Sequence, residues 1–327
     1  GTTLLQVITP WQLVDQWRER LSTFLNTPIK EIGQIGGGKG LVTGRVDVAT
    51  VQSLSRQGEV KDLVGEYGQV IVDECLHISA FSFEEVLRQV KAKYVLGLTA
   101  TPIRKDGHHP IIMMQCGPIR FKVSNKDQSL YSQFDHHVIP KPTAYTLPIH
   151  LTDPGMQDIY SSLAIDKHRN DMIFDDLLLS LEDGRSPLLL TERTEHLEYF
   201  AGQLSGFAKN VIVLRGGMSK KQRLEVAERL SKIPDGEERV ILSTGRYIGE
   251  GFDDARLDTL FLAMPISWKG TLQQYVGRLH RQHQNKRVVQ VYDYVDLKMP
   301  MLKRMYEKRL KGYRALGYVV QNSQTGL

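Results

Sequence analysis

Between Val70 and Pro102 apolar runs alternate with short polar punctuation. Val70-Ile71-Val72 reads as a buried strand running into Asp73, Glu74, Cys75, Leu76 and His77. Ser82-Phe83-Glu84-Glu85 has the form of a capping box and predicts a helix through about Val90. Tyr94-Val95-Leu96-Gly97-Leu98 is a second strand and delivers Thr99, Ala100 and Thr101 to a turn at Pro102. Strand, helix, strand is a βαβ unit, and parallel sheets of such units place ligands beyond the carboxyl ends of their strands.

The same rhythm extends both ways. Residues 4–9 form a strand, followed by a helix with Leu13, Trp17, Leu21 and Phe24 at helical spacing, and 46–50 form another short strand. After the first half, Pro140 and Pro142 are expected to break any regular element, which puts the end of the first domain near 142. Residues 143–170 read as a connector. A helix over 171–181 stops at Asp183-Gly184-Arg185-Ser186-Pro187, and buried strands follow over 188–191, 211–214 and 240–243. The expected organisation is therefore 1–142, a connector over 143–170, a second α/β domain over 171–297 and a basic helical tail over 298–327. In that tail Lys303, Arg304, Lys308, Arg309, Lys311 and Arg314 interleave with Tyr306, Tyr313 and Tyr318, as in a solvated helix or a nucleic-acid-binding arm.

At 327 residues the chain exceeds one average core, in keeping with two domains. Hydrophobic residues at 41% and charged residues at 24% are ordinary for a folded soluble protein, so disorder is not the default expectation. No run reaches the ~18 apolar residues of a membrane span, and no signal-peptide order opens the sequence, so the expected location is the cytoplasm. A net charge of +5 is compatible with a polyanionic partner. Cys75 and Cys116 are too few for a thiolate metal site and read as reduced core thiols, and the pairs His108-His109 and His136-His137 lack partnering ligands.

Adjacent carboxylates at a strand end suit a metal-bound nucleotide. Asp73 can hold Mg²⁺ through water while Glu74 orients or deprotonates an attacking water, although a solvated acidic turn has the same sequence. Gly33 to Gly40 nearly matches the phosphate-cradling pattern GxxxxGK[ST], but Gly40 stands where a hydroxyl is needed and a strand-like alternation follows. A glycine-rich hairpin or loop is expected there. Further on, Gln274-Tyr275-Val276-Gly277-Arg278-Leu279-His280-Arg281 sets Arg278 and Arg281 three apart, on one face if helical, where both guanidinium groups can reach one anion.

Taken in order, these segments resemble the superfamily 2 helicases and translocases, of the DEAD/DEAH-like and restriction-motor branch. Asp73-Glu74-Cys75-Leu76 is similar to that family's motif II, Thr99-Ala100-Thr101 to motif III, Ser243 to Asp253 to motif V and Gln274 to Arg281 to motif VI; the likeness spans about residues 4–297. It implies an α/β architecture of two tandem RecA-like lobes, parallel sheets flanked by helices, with ATP and Mg²⁺ between them and nucleic acid laid across both. By that resemblance Asp73 holds the metal, Glu74 acts on water, Arg278 and Arg281 reach the γ-phosphate, and Gln274 senses the nucleotide. Glu250, Gly251 and Asp253 would line the nucleotide, with Asp253 on the ribose or in lobe coupling. Thr9, Thr50, Arg104, Thr244, Trp268 and Lys269 would meet nucleic acid, DNA in preference to RNA, through its backbone and so without sequence specificity; for Trp268, lobe packing competes with stacking.

Thr99, Thr101, Leu76 and His77 would couple hydrolysis to movement. Leu76 departs from the family's usual His or Asp at that place, which puts this coupling in doubt. The family's motif I, the phosphate loop, is expected before the strand at 4–9, so the first lobe reads as truncated at its N-terminus and the chain alone as a poor ATPase. Two other readings stand beside the motor: a non-catalytic nucleic-acid-binding scaffold with the same lobes, and a small-molecule NTPase, which would have no need of paired arginines in a second lobe.

Overall fold

The computed structural model describes residues 3–8, 13–36, 39–56, 59–75, 81–99, 109–122, 134–149, 154–245, 254–266, 269–284 and 286–321. The chain divides into two compact units, Gly1–Lys122 and Val123–Leu327.

In the first unit the strands are β1 (Leu4–Ile8), β2 (Gly33–Gly36), β3 (Lys39–Leu41), β4 (Val46–Thr50), β7 (Gln69–Val72) and β8 (Tyr94–Gly97), with a separate ribbon of β5 (Ser55–Arg56) and β6 (Glu59–Val60). The six-stranded sheet runs β3-β2-β4-β1-β7-β8 and is parallel except where β2 meets β3. Helices α1 (Leu13–Leu25), α2 (Val51–Leu54), α3 (Phe81–Gln89) and α4 (His109–Cys116) complete it. Strand alternation divides the apolar side chains between two faces. Leu5, Val7, Ala49, Val70 and Val72 pack with Phe83, Val86 and Ile112, whereas Ile8, Val48 and Ile32 pack with Leu13, Val14, Trp17 and Leu21 of α1. The apolar stripe of α1 ends there: Phe24, expected on it, is 83% exposed.

The glycine-rich stretch is a hairpin, as its alternation predicts. Ile35 pairs with Gly40 and Gly36 with Lys39 in antiparallel register, so this backbone does not open a helix as a phosphate loop must. At Gly36, φ is +114° and a β-carbon would overlap the Ser53 hydroxyl, so glycine is required for both reasons.

The second unit contains β9 (Asp135–Pro142), β10 (Pro187–Thr191), β11 (Val211–Leu214), β12 (Val240–Thr244), β13 (Thr259–Leu262), β14 (Val288–Val295) and β15 (Val319–Val320). They form a seven-stranded parallel sheet in the order β11-β12-β10-β13-β14-β9-β15. Its helices are α5 (Met156–Ile165), α6 (Lys167–Glu182), α7 (Thr194–Leu204), α8 (Lys220–Lys232), α9 (Lys269–Gly277) and α10 (Pro300–Ala315). One face packs on Ile173, Leu177, Leu197 and Phe200, the other on Leu272, Val276, Tyr313 and Leu316. Covered on both sides, β10 is buried at every residue, which is why it reads as a continuous apolar run.

Three expectations about organisation are corrected. The division falls at 122/123, not at 142, because β9 pairs along its whole length with β14. Pro140 and Pro142 do not break that strand. Asp135 and Thr143 donate their N–H groups to Arg287 and Val295 on the β14 side, so odd-numbered residues face β14 and the even-numbered prolines lack donors only on the other side. There β15 pairs with His137 and Val138.

The stretch 143–170 is likewise part of the second unit, with Tyr145, Ile159 and Leu163 in a cluster with Leu302 and Met305. Nor is 298–327 a mere tail. Lys303, Arg304, Lys308, Lys311 and Arg314 are exposed as a solvated helix requires, but Leu302, Arg309 and Tyr313 are buried on the opposite stripe. Among the described residues no helix is long and apolar enough to cross a membrane.

Candidate functional site

In each sheet the chain order reverses at the central strand, β1 in the first unit and β10 in the second, and the loops beyond the carboxyl ends there form the natural ligand crevice. Asp73 follows β7 at that place. Its N–H donates to the Val7 carbonyl (2.9 Å), which holds the turn against β1. One carboxylate oxygen accepts the Glu74 N–H (3.0 Å) and the other the Trp17 indole N–H (3.1 Å), so both oxygens are oriented by fixed donors. Glu74 has φ +49°, a left-handed conformation that costs a non-glycine residue about 1 kcal/mol and clusters at functional turns. The next residue returns to the sheet, Cys75 N–H donating to Leu98 O (2.9 Å). Thus Asp73, Glu74 and the Leu98–Thr99 segment share one edge of the sheet.

Thr50 ends β4 on the same edge but is buried, its hydroxyl shared with Ser53 (2.6 Å). It stands at the N-cap position of α2 without a side-chain bond to the helix backbone, its hydroxyl engaged by the Ser53 side chain. Thr9, Leu76, His77, Thr101, Arg104, Glu250, Gly251, Asp253 and Trp268 lie outside the described residues, as does the side chain of Lys269, the first residue of α9.

In the second unit, the loops after β10, β12 and β13 meet α9. The Tyr275 hydroxyl donates to Glu192 Oε1 (3.4 Å), and Gly245 lies against both: a β-carbon there would overlap the hydroxyl and stand 2.6 Å from the carboxylate oxygen. Burial pushes the Glu192 carboxyl above its ordinary value, against the lowering from the Tyr275 hydrogen bond. Thr244, beside Gly245, has a buried hydroxyl oxygen without a hydrogen-bond partner among the described residues. The segment after β13 is held by its carbonyls. Arg169 takes Ala263 O (2.6 Å), Tyr160 takes Pro265 O (2.7 Å) and Arg309 takes Ile266 O (2.8 Å). The two arginines are themselves buried on Asp296 and Asp293. This clamp fixes the approach to α9, which carries Gln274.

Arg278 and Arg281 lie beyond the end of the helix that was expected to carry both. The helix stops at Gly277, and Arg278, Leu279 and His280 turn tightly through N–H bonds to Tyr275, Val276 and Gly277 carbonyls. Lys286 fastens the segment that follows the turn: its buried ammonium donates to Leu279 O and Arg281 O, both at 2.8 Å. Buried Leu279 anchors the turn between a half-buried Arg278 and an exposed Arg281.

The sequence reading passed over Trp17, Glu192, Tyr275 and Lys286. Glu192 could have been found, since Leu188-Leu189-Leu190-Thr191-Glu192 repeats the strand-then-acid form of Val70 to Asp73. Trp17 carried no such signal, because its helical spacing is satisfied by packing alone. Among the described residues no group of three or more His, Cys, Asp or Glu could hold a metal ion.

A family model described as "Type III restriction enzyme, res subunit" matches residues 3–104, and one described as "Helicase conserved C-terminal domain" matches residues 170–283, one in each unit. The chain belongs to the superfamily 2 helicases. Curated relatives of this superfamily 2 chain include a protein of Acanthamoeba polyphaga mimivirus described as an ATP-dependent RNA helicase, 25% identical over 94% of this chain and 58% of its own length. A helicase of Escherichia phage T5 is 24% identical over 86% of this chain and 59% of its own. The superfamily 2 chain thus spans a little under three fifths of these relatives. A DNA 3'-5' translocase of Sulfurisphaera tokodaii is 32% identical over 37% of this chain and 26% of its own. The structure of S. cerevisiae Dbp5 bound to RNA and ADP BeF3 aligns over 98% of this chain and 78% of that one at a TM-score of 0.65 and 12% identity, which establishes the two RecA-like lobes as the fold.

Proposed function

We propose that this chain is the two-lobe core of an ATP-driven translocase acting on nucleic acid, DNA in preference to RNA, through backbone contacts. The carrying observation is the acid pair at the switch point of the first sheet, with each Asp73 oxygen oriented by a donor and Glu74 held at positive φ. That carboxylate retains lone pairs on both oxygens and fits Mg²⁺, a hard cation that prefers oxygen ligands and keeps much of its water. Bound there with ATP, the ion would neutralise charge on the phosphates.

In this reading Asp73 holds the ion through water and Glu74 orients or deprotonates the attacking water. Gln274 senses the nucleotide, Arg278 and Arg281 act on the same triphosphate, and Glu250, Gly251 and Asp253 line it. A guanidinium placed on the γ-phosphate is worth ~10³ to 10⁵ in rate. Thr9, Thr50, Arg104, Thr244, Trp268 and Lys269 follow the nucleic-acid backbone, with Thr50 contributing through its main chain because its hydroxyl is engaged. Thr99, Thr101, Leu76 and His77 couple the two. The DNA preference draws on the likeness to the Sulfurisphaera tokodaii translocase.

A second reading is kept by one observation. No GxxxxGK[ST] occurs in these 327 residues, and the near match folds as a hairpin, so among the described residues that stretch does not cradle β and γ phosphates. The chain by itself is therefore expected to bind nucleic acid in a salt-sensitive way while turning over little ATP. The deciding experiment measures phosphate release with single- and double-stranded DNA and RNA, on this chain and on the same chain extended through the preceding residues of its reading frame. Turnover in the extended chain that Glu74→Gln abolishes supports the motor. Binding that ignores both ATP and Glu74→Gln leaves a scaffold.

A further inference from the structure

The first unit holds both cysteines of the sequence, and they meet. Cys75 immediately follows the acid pair, and Cys116 is the last residue of α4. Gly97 on β8 lies beneath them: a β-carbon at Gly97 would be 3.0 Å from each sulfur and 3.1 Å from Cys116 Cβ. The space a side chain would fill at this strand position is instead occupied by two thiols. Each sulfur lies against the same point above Gly97, so the two thiols are neighbours. Cys75 is buried and Cys116 half-exposed, so one sulfur is reachable by a small reagent while the other waits behind it.

We infer that Cys75 and Cys116 form an oxidisable dithiol site, which a hydroperoxide converts to an intramolecular disulfide. The half-exposed Cys116 sulfur attacks the peroxide. An S–O bond forms, the O–O bond breaks, and with hydrogen peroxide one water leaves. The Cys75 sulfur then attacks the Cys116 sulfenic acid, forming the S–S bond and releasing a second water. Two thiols lose two protons and two electrons, and the peroxide takes them up. A bond of ~2.05 Å draws the sulfurs closer than any non-bonded contact and ties the turn of Asp73 and Glu74 to the end of α4. The linkage needs only this geometry; a consequence for hydrolysis would rest on the functional reading above.

The test treats the folded chain with hydrogen peroxide, alkylates remaining thiols, and reads intact mass and the peptides joined under non-reducing conditions. The expected result is a monomer lighter by two hydrogens, carrying no alkyl group, with the peptides of Cys75 and Cys116 linked and dithiothreitol restoring both thiols. A preorganised pair should close at least ~10-fold faster in the folded chain than in guanidinium, where the thiols meet only by chain diffusion. In Cys116→Ser the buried Cys75 should react at least ~10-fold more slowly with peroxide than the pair does. Equal rates in folded and denatured chain, stepwise oxidation to sulfinic acid without a link, or a disulfide-bonded dimer would each overturn the inference.

Discussion

Gly245→Ala probes the join between the loops after β10 and β12 and helix α9. The added methyl overlaps the Tyr275 hydroxyl and lies 2.6 Å from Glu192 Oε1 and 2.9 Å from Tyr275 Cζ. A packed site of this kind relaxes by moving side chains off their rotamers, at a cost of about 1 to 3 kcal/mol. Tyr275→Phe deletes the overlapped atom and gives up a long hydrogen bond of 3.4 Å, a loss of about 0.5 kcal/mol. Combined, the two changes should be less damaging than their sum by about 1 kcal/mol, since the phenyl ring leaves part of the space open. Hydrogen exchange of peptides covering β10 and β13 under increasing urea measures this within the second unit, so the first unit's unfolding does not enter. A Gly245→Ala protein as stable as its parent, or energies that add to within about 0.3 kcal/mol, would refute the packing argument. Because Thr244 and Gln274 adjoin the two altered residues, the double variant should also recover whatever nucleic-acid affinity the single one loses.

Arg309→Met leaves Asp293 buried with only the Tyr313 hydroxyl and frees Ile266 O, and should cost about 3 to 5 kcal/mol by urea unfolding; a loss under about 1 kcal/mol would show the pair to be dispensable. Glu192→Gln retains an acceptor for Tyr275 while removing a buried carboxylate whose ionisation is disfavoured, so it should leave stability at pH 7 unchanged or raise it; clear destabilisation would contradict this. Burial holds His280 down to about 4 and His196 to about 3, and lowers His136 too, from an ordinary 6.5. The unfolded chain then binds these protons more readily, so stability is whole above pH 6.5 and falls as pH drops from there towards 4, and a midpoint at pH 5 equal to that at pH 7.5 would deny it. Lys39→Ala should leave nucleotide and nucleic-acid affinity unaltered, because its backbone pairs in the hairpin; a tenfold loss of nucleotide binding would restore the phosphate-loop reading.

The parallel strands were legible because burial on both faces imposes apolar runs, and β4 and β11 have the bounds their runs predict. A helix between β7 and β8 was legible, but it opens at Phe81, one residue before the Ser82 expected to cap it. Misreadings arose where a distant partner decides the outcome. Pro140 and Pro142 are breakers in isolation and tolerated edge residues once β14 supplies the pairing. Arg309 looks like its five solvated neighbours until Asp293, sixteen positions earlier, takes it into the core. The acid pair was visible as chemistry, but its orientation by Trp17 was not, since an indole N–H reaching across 56 positions leaves no local periodicity. Likewise the hold of Lys286 on the Leu279 and Arg281 carbonyls exists only once the chain is folded.

Strand β9 leaves the ribosome first of its sheet, yet its neighbours β14 and β15 are the last described strands of that sheet to follow it. At ~5 to 20 residues per second, the gap between Pro142 and Val288 corresponds to roughly 7 to 30 s during which a nascent strand waits for its mates. A waiting strand with open edges recruits other chains. Two imino acids on one of those edges cannot donate to an intruder, and so chaperone the segment from within its own sequence until synthesis catches up.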